Sequence, residues 1–353
     1  MRLGKFRHVS NKELLAKIIK HPFFGIIMLG VALLIILPFS GYTLRGALGQ
    51  SITFTVVALG FSILLGYSGL ASLGTAGFAG IGAYSLGYLT NQMGFPFIIT
   101  LIVTLSFAII LGTIVGFISL RIEGIYLGII TLGLSEIVNQ VFISLFGDGN
   151  YQLSAFRLFG IKMNAQSTFI LLVIIMVVVM LIILNVSKSP TGRAMLAMKN
   201  SESAAQAMGI SILKYRLLAF IIATVFAALG GMLYMAFQKN VSPSTSSQPG
   251  VFNLGYSLNI LAAVVIGGTR SIFGIFFGSL LVYRFDVILN ALFRNANING
   301  NLIIILSGVI IILIVMFYPG GLSRLALMTK LKIKNLINKL KVKWKEYRYG
   351  KED

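Results

Sequence analysis

Residues 189–216 read Ser189-Pro-Thr-Gly-Arg-Ala-Met-Leu-Ala-Met-Lys-Asn-Ser-Glu-Ser-Ala-Ala-Gln-Ala-Met-Gly209, then Ile-Ser-Ile-Leu-Lys-Tyr-Arg216. This stretch is polar and basic, yet an uncharged apolar run stands on either side of it, at 163–187 and 217–238. Each run is long enough to cross a hydrocarbon core, which needs about 20 residues per helix. The chain between them must therefore lie outside the bilayer. Lys188, Arg193, Lys199, Lys214 and Arg216 place it on the cytoplasmic side. Its Ala/Met-rich centre predicts short amphipathic helices rather than a tether. Ser201 or Asn200 caps one of them, Glu202 falls in the first turn where the dipole favours a carboxylate, and Gly209 ends it in a left-handed conformation.

Working outward, hydrophobic residues make up 57% of the 353 and charged residues 11%, with a mean hydropathy of +0.93. That excludes an ordinary soluble domain. Further uncharged windows lie at 22–44, 46–120, 240–269 and 295–323. The breakers Gly66-Tyr-Ser-Gly69 and Asn91-Gln-Met-Gly-Phe-Pro96 divide the longest into three. The expected fold is an all-α polytopic membrane protein of about ten transmembrane helices, with a short cytoplasmic helix in the loop at 187–216. The predicted spans are 23–40, 49–66, 71–90, 97–119, 124–146, 167–186, 217–237, 253–269, 271–291 and 301–318. A basic segment (1–22) precedes the transmembrane part (23–322, with its loop at 187–216), and a basic amphipathic tail (323–353) follows.

With both termini inside, 23 of the 29 Lys and Arg residues fall on the cytoplasmic side and five outside, as the positive-inside rule requires. The net charge of +20 reflects this sidedness. It does not indicate nucleic-acid binding, because no nucleic-acid module accompanies the basic residues. The run Lys330 to Trp344 predicts a helix lying on anionic headgroups. Residues 1–20 are too basic and polar for a cleavable signal. No cysteine is present, and the two histidines, His8 and His21, stand ahead of the first span. Thiol chemistry and a His-based intramembrane triad are thereby excluded, so an enzyme is not expected. There is no phosphate loop. The cluster Gly74, Gly77, Gly80, Gly82 lacks the last glycine of a dinucleotide fingerprint, since Ser85 stands there. These glycines, with the pairs 112/116, 124/128 and 274/278, predict close helix packing.

Four segments resemble the LivM-type permease subunits of bacterial ATP-binding-cassette importers for branched-chain amino acids. They are Gly66-Tyr-Ser-Gly-Leu-Ala-Ser-Leu-Gly-Thr-Ala-Gly-Phe-Ala-Gly-Ile-Gly-Ala-Tyr84, Leu120 to Ile137 with its Gly-Ile-Tyr entrance, Pro190-Thr-Gly-Arg193 with Ser201 to Gly209, and Val265-Ile-Gly-Gly268 followed by Phe273-Gly274 and Phe317-Tyr-Pro-Gly-Gly-Leu322. The order and spacing carry the resemblance. Leu70 and Thr75 stand where that branch commonly has glutamine and histidine, which bears on the cargo. Thr269-Arg270 replaces a small or apolar pair.

The resemblance implies an importer subunit in the bacterial cell membrane, partnered by two ATP-binding subunits, a second related permease and an extracytoplasmic binding protein. This chain would then hold no cofactor, and ATP would bind the separate ATPases. It assigns ATPase coupling to Arg193, Glu202, Ala204, Ala205, Met208 and Gly209, with Met195 and Met198 as further apolar contacts. Ser68, Ser72, Thr75 and Tyr84 are candidate pathway residues, because irregular backbone at membrane depth must be buried or face water. Packing alone explains the same glycine-rich segment. Glu136, Arg284 and Asp286 are the ionisable residues within spans. Similar depths for the first two predict a Glu136–Arg284 pair, with Asp286 facing water or polar groups nearer the outer surface. Permeases for amides, urea or nucleosides remain alternatives, as does an ion-coupled carrier, which would need coupling carboxylates that this chain has sparsely.

Overall fold

A computed structural model describes residues 22–119, 125–146, 151–153, 156–158, 161–242 and 250–292, with scattered positions between 305 and 331. The predicted last span, the amphipathic tail and the first 21 residues lie outside this described set, apart from those scattered positions. Helices dominate: α1 (Pro22–Ile36), α2 (Tyr42–Ser62), α3 (Thr75–Asn91), α4 (Phe97–Ser119), α5 (Ile125–Phe146), α6 (Ala165–Lys188), α7 (Pro190–Asn200), α8 (Glu202–Ala207), α9 (Ile212–Gln238), α10 (Leu254–Gly267), α11 (Ile272–Tyr283) and α12 (Phe285–Leu292). Two-residue strands β1 (Tyr151–Gln152) and β4 (Asn240–Val241) pair antiparallel, as do β2 (Arg157–Leu158) and β3 (Ile161–Lys162). Among the described residues six helical stretches are long and apolar enough to cross a membrane, and α10 and α11 are shorter apolar helices.

α2 is the axis. From Ser51 to Ser62 every residue is buried, as expected of a helix that neighbours surround. Its polar side chains satisfy themselves locally, since Thr53, Thr55 and Ser62 donate their hydroxyls to carbonyls of Gln50, Ser51 and Leu59 at 2.8, 2.7 and 2.6 Å. α9 packs against α2, α3 and α4, while α6 and α11 close the other sides of α2. Between lipid-like side chains no hydrophobic force draws helices together, so close backbone approach replaces it. At the α3–α9 crossing, a Cβ on Gly231 would lie 1.8 Å from the Ala79 carbonyl oxygen, and one on Gly82 would lie 1.9 Å from that of Ala228. The predicted pair 274/278 meets α10 backbone in the same way, while 112/116 meets α9 side chains, Thr224, Leu217 and Phe220. Gly80 and Gly128 have room for a methyl group, so packing does not explain them.

Four spans differ from expectation, the one predicted at 71–90 beginning only at Thr75 after an irregular segment. α2 begins at Tyr42 and continues through a π-helical turn, Ile63–Ser68, whose end is turned by Gly69 at φ 77°. α9 begins at Ile212, five residues earlier than the apolar pattern alone indicates. The span predicted at 271–291 is broken at Arg284 (φ −143°, ψ 26°) into α11 and α12. A π-turn and a broken helix are local departures that hydropathy does not register.

Candidate functional site: a two-helix knob and the segment beneath it

The basic stretch folds into two short helices set at an end of the bundle. Pro190 opens α7 at its first position, where a missing N–H costs nothing. The Ser189 side chain accepts from the Gly192 backbone N–H at 3.2 Å. Ser201 then caps α8, its oxygen accepting from the Ala204 N–H at 3.3 Å, with Glu202 in the first turn and Gly209 at φ 80° just beyond it. All three features match the sequence expectation, because each depends on residues within one or two turns.

Packing decides which side chains the knob presents. Met195 and Met198 are 0% and 1% exposed, and Ala205, at 2%, packs with Met198 and Ile212. Met198 and Ala205 hold the knob together and Met195 packs into the bundle core, so these three side chains do not reach the knob's exposed surface, where the expectation placed them. Arg193, Glu202, Ala204, Met208 and Gly209 are exposed, Met208 at 81%, and they form the available surface. The Arg193 guanidinium donates to the Lys188 carbonyl at 3.1 Å.

Two contacts absent from the sequence reading tie the knob down. Glu202 is ion-paired to Arg216 in the first turns of α9. Lys199, in the last turn of α7, donates from Nζ to the carbonyls of Leu65 and Gly66 at 2.9 and 3.0 Å. Those carbonyls belong to the π-turn that ends α2, where helical partners run out. Partial desolvation, then the neighbouring charge of Arg270, pushes the Lys199 pKa below its ordinary value. The partners are 134 and 133 residues apart in sequence, so no local pattern signals them.

Beneath Lys199 runs the irregular segment 69–74. Its Leu73 N–H donates to Thr131 Oγ1 on α5, and the Ala76 N–H in the first turn of α3 that follows donates to Ser257 Oγ on α10, both at 3.0 Å. Ser68, Ser72, Thr75 and Tyr84 are all buried, and among the described residues Ser72 and Thr75 lie apart from Tyr84. Ser72 and Thr75 line a void of about 10 Å³ between the π-turn, α3 and α9, space for about one water. Tyr84, nine residues along α3, stacks on Phe142 at 4.2 Å and lines a separate cavity of about 460 Å³ between α3, α4 and α5.

The predicted Glu136–Arg284 pair is not formed. Glu136 is exposed on α5 and accepts from Gln140 Nε2 at 3.3 Å. α5 packs on α3 and α4, while α11 and α12 pack on α2. Arg284 donates from Nε to Gln50 Oε1 of α2 and sits 5.1 Å from the Tyr283 ring centre. Equal depth does not imply a shared face of the bundle, and the helix order in space separates the two. Asp286 stands half-buried in the first turn of α12.

A family model described as the permease component of branched-chain amino acid transport systems matches residues 43–315. The high-affinity branched-chain amino acid transport system permease protein LivM of Escherichia coli K12 is 30% identical over 80% of this chain and 70% of its own. The corresponding protein of Salmonella typhimurium is 28% identical over 77% and 68%. A probable branched-chain amino acid transport permease LivH of Methanocaldococcus jannaschii is 25% identical over 79% and 91%.

Proposed function

The chain belongs to the branched-chain amino acid transport permease family, and we propose that it moves a branched-chain or other hydrophobic amino acid inward across a bacterial cell membrane as the transmembrane subunit of an ATP-driven importer. The observation that carries this reading is the capped knob α7–α8, whose exposed face is offered outward while Lys199 fastens it to the end of the axial helix. Two ATP-binding subunits supply the energy, and the knob is their docking point. The basic residues of the knob and of the chain's ends put all of these on the cytoplasmic side. An extracytoplasmic binding protein delivers the cargo at the opposite end.

The position of Glu136 supports a second permease subunit. Gly133, Glu136, Gln140 and Ser144 are all exposed, and their spacing puts them on one stripe of α5. Glu136 lies about 16 Å from the start of the helix at ~1.5 Å per residue, roughly half of a ~30 Å core. A bare charge against acyl chains costs at least ~2.5 kcal/mol. The stripe therefore faces water or a polar partner, and the pathway runs between it and the second permease.

Copurification of an ATPase, with uptake abolished by ATP depletion and unchanged when the proton gradient is dissipated, is the expected result. Uptake that follows the gradient instead would assign the chain to the ion-coupled carriers. The knob makes a narrower prediction. The Glu202–Arg216 pair has a half-exposed carboxylate, which limits its worth to about 0–1 kcal/mol. A side chain at Gly209 adds roughly 1–2 kcal/mol of left-handed strain. Glu202→Lys and Gly209→Leu should therefore leave the protein in the membrane at near-normal levels while uptake falls at least tenfold. Normal uptake in both variants would remove the coupling role.

A further inference from the structure

At the end of the bundle opposite the knob, α2, α6, α9 and α12, with the break at Arg284, line a cavity of about 390 Å³ that includes Tyr42, Arg45, Gln50, Gln238 and Arg284. Two guanidiniums share its wall, and among the described residues neither has a carboxylate within ion-pairing distance. Arg45 donates from Nη2 to the Ser40 carbonyl at 3.1 Å, but its Nε is buried with no partner. Arg284 occupies the break between α11 and α12, where Gln50 and the Tyr283 ring hold its guanidinium in place. Irregular backbone at membrane depth persists where it is buried or lines a polar space. Two half-buried guanidiniums on one cavity, one with an unpartnered buried Nε, leave donors that an anion would satisfy.

The surroundings identify which anion. α2 with its π-turn spans 27 residues, about 40 Å at ~1.5 Å per residue, so its first turns stand beyond a ~30 Å core. Phe39 and Tyr42 beside the cavity are 86% and 89% exposed, the placement of aromatic side chains at a headgroup level. α1, joined to this corner, presents Ile27, Val31 and Ile35 outward along an apolar face. The cavity thus opens where bilayer headgroups lie. It is separate from the Glu136 stripe, since α5 packs on α3 and α4.

We propose that this cavity binds a phosphate oxyanion presented by an anionic phospholipid of the adjoining leaflet, gripped by the planar donors of Arg45 and Arg284. Such forks match phosphate geometry, and basic pockets between membrane helices favour anionic headgroups. The bound lipid bridges α2 to the broken helix and holds Arg284 in place.

The test uses the full-length protein in detergent, loaded with an equal mixture of phosphatidylglycerol and phosphatidylcholine and read by native mass spectrometry. Wild type should retain phosphatidylglycerol at least fivefold over phosphatidylcholine. In Arg45→Gln the ratio should fall towards one, and in Arg284→Lys, which keeps the charge without the fork, it should be intermediate. Arg45→Gln leaves the helix break untouched, so the result does not depend on whether changes at Arg284 fold. Inorganic phosphate in a parallel arm distinguishes the source. If it raises the melting temperature in an Arg45-dependent way while no lipid is retained, the oxyanion site stands and the lipid is rejected as its ligand. Equal retention of the two lipids by wild type, or an unchanged preference in both variants, overturns the proposal.

Discussion

A Gly231→Ala chain should fail to accumulate as folded membrane protein, although alanine is the better helix former. The added Cβ would stand 1.8 Å from the Ala79 carbonyl oxygen, against a normal carbon–oxygen contact of about 3.3 Å. α3 and α9 would have to part by roughly 1.5 Å, and backbone on both sides leaves no flexible end to absorb the shift. Parting them also weakens the reciprocal contact at Gly82 with Ala228 and the dispersion contacts along the crossing. Overpacking typically costs ~1–3 kcal/mol, and with backbone on both sides the cost here belongs at or above the top of that range, a large share of the ~5–15 kcal/mol that holds a typical domain together. Gly80, on α3 beside Gly82, has its nearest neighbour at 3.7 Å. Gly80→Ala should therefore match wild type or slightly exceed it, because alanine gains up to ~1 kcal/mol over glycine inside a helix. Melting temperatures of the two variants, followed by fluorescence-detected size exclusion, check the pair. A wild-type profile for Gly231→Ala would mean that the two helices do not cross this closely.

The largest functional effect short of unfolding is expected from Lys199→Met. Methionine keeps much of the stem that passes over Gly69, where a Cβ would meet Lys199 Cγ at 3.3 Å. It removes both donors to Leu65 and Gly66. Hydrogen bonds to a charged group contribute about 1.5–3 kcal/mol each, but Lys199 is exposed and water can replace it at the carbonyls. Folding should therefore change little. What is lost is the rigid link between the knob and the end of α2, and motion of α7 then no longer moves the segment at 66–75. Reconstituted with the ATP-binding subunits proposed above, the variant should bind them and support ATP hydrolysis while substrate uptake drops at least tenfold. Uptake at the wild-type rate would show that force reaches the membrane part by another route, the Glu202–Arg216 contact being the nearest.

The α4 span at 97–119 and the α5 span, one residue from expectation at 125, were legible in the sequence. Long apolar runs, uncharged in α4 and interrupted only by Glu136 in α5, end there at turn residues and charges, and both signals are local. The caps of the knob were legible for the same reason: Ser201, Glu202 and Gly209 act on backbone groups within a turn or two of themselves. Burial within the knob was not. Met195, Met198 and Met208 are one residue type in one short stretch, yet two face inward and one outward, according to where Ile212 and α9 lie. The break at Arg284 was hidden because hydropathy averages over a window and passes across a single residue anchored to Gln50 on another helix.

Composition and charge placement by themselves determined that this protein crosses a membrane many times and carries a capped knob between two spans, because transfer free energy and capping are properties of short segments. Only the tertiary structure decided that Glu136 and Arg284 stand apart, that Lys199 reaches the end of α2, and that Arg45 and Arg284 share one cavity. Those relations depend on which helices are neighbours. In a bundle whose helices are nearly all apolar, hydropathy does not distinguish one neighbour from another; the close approach of glycines at particular crossings does.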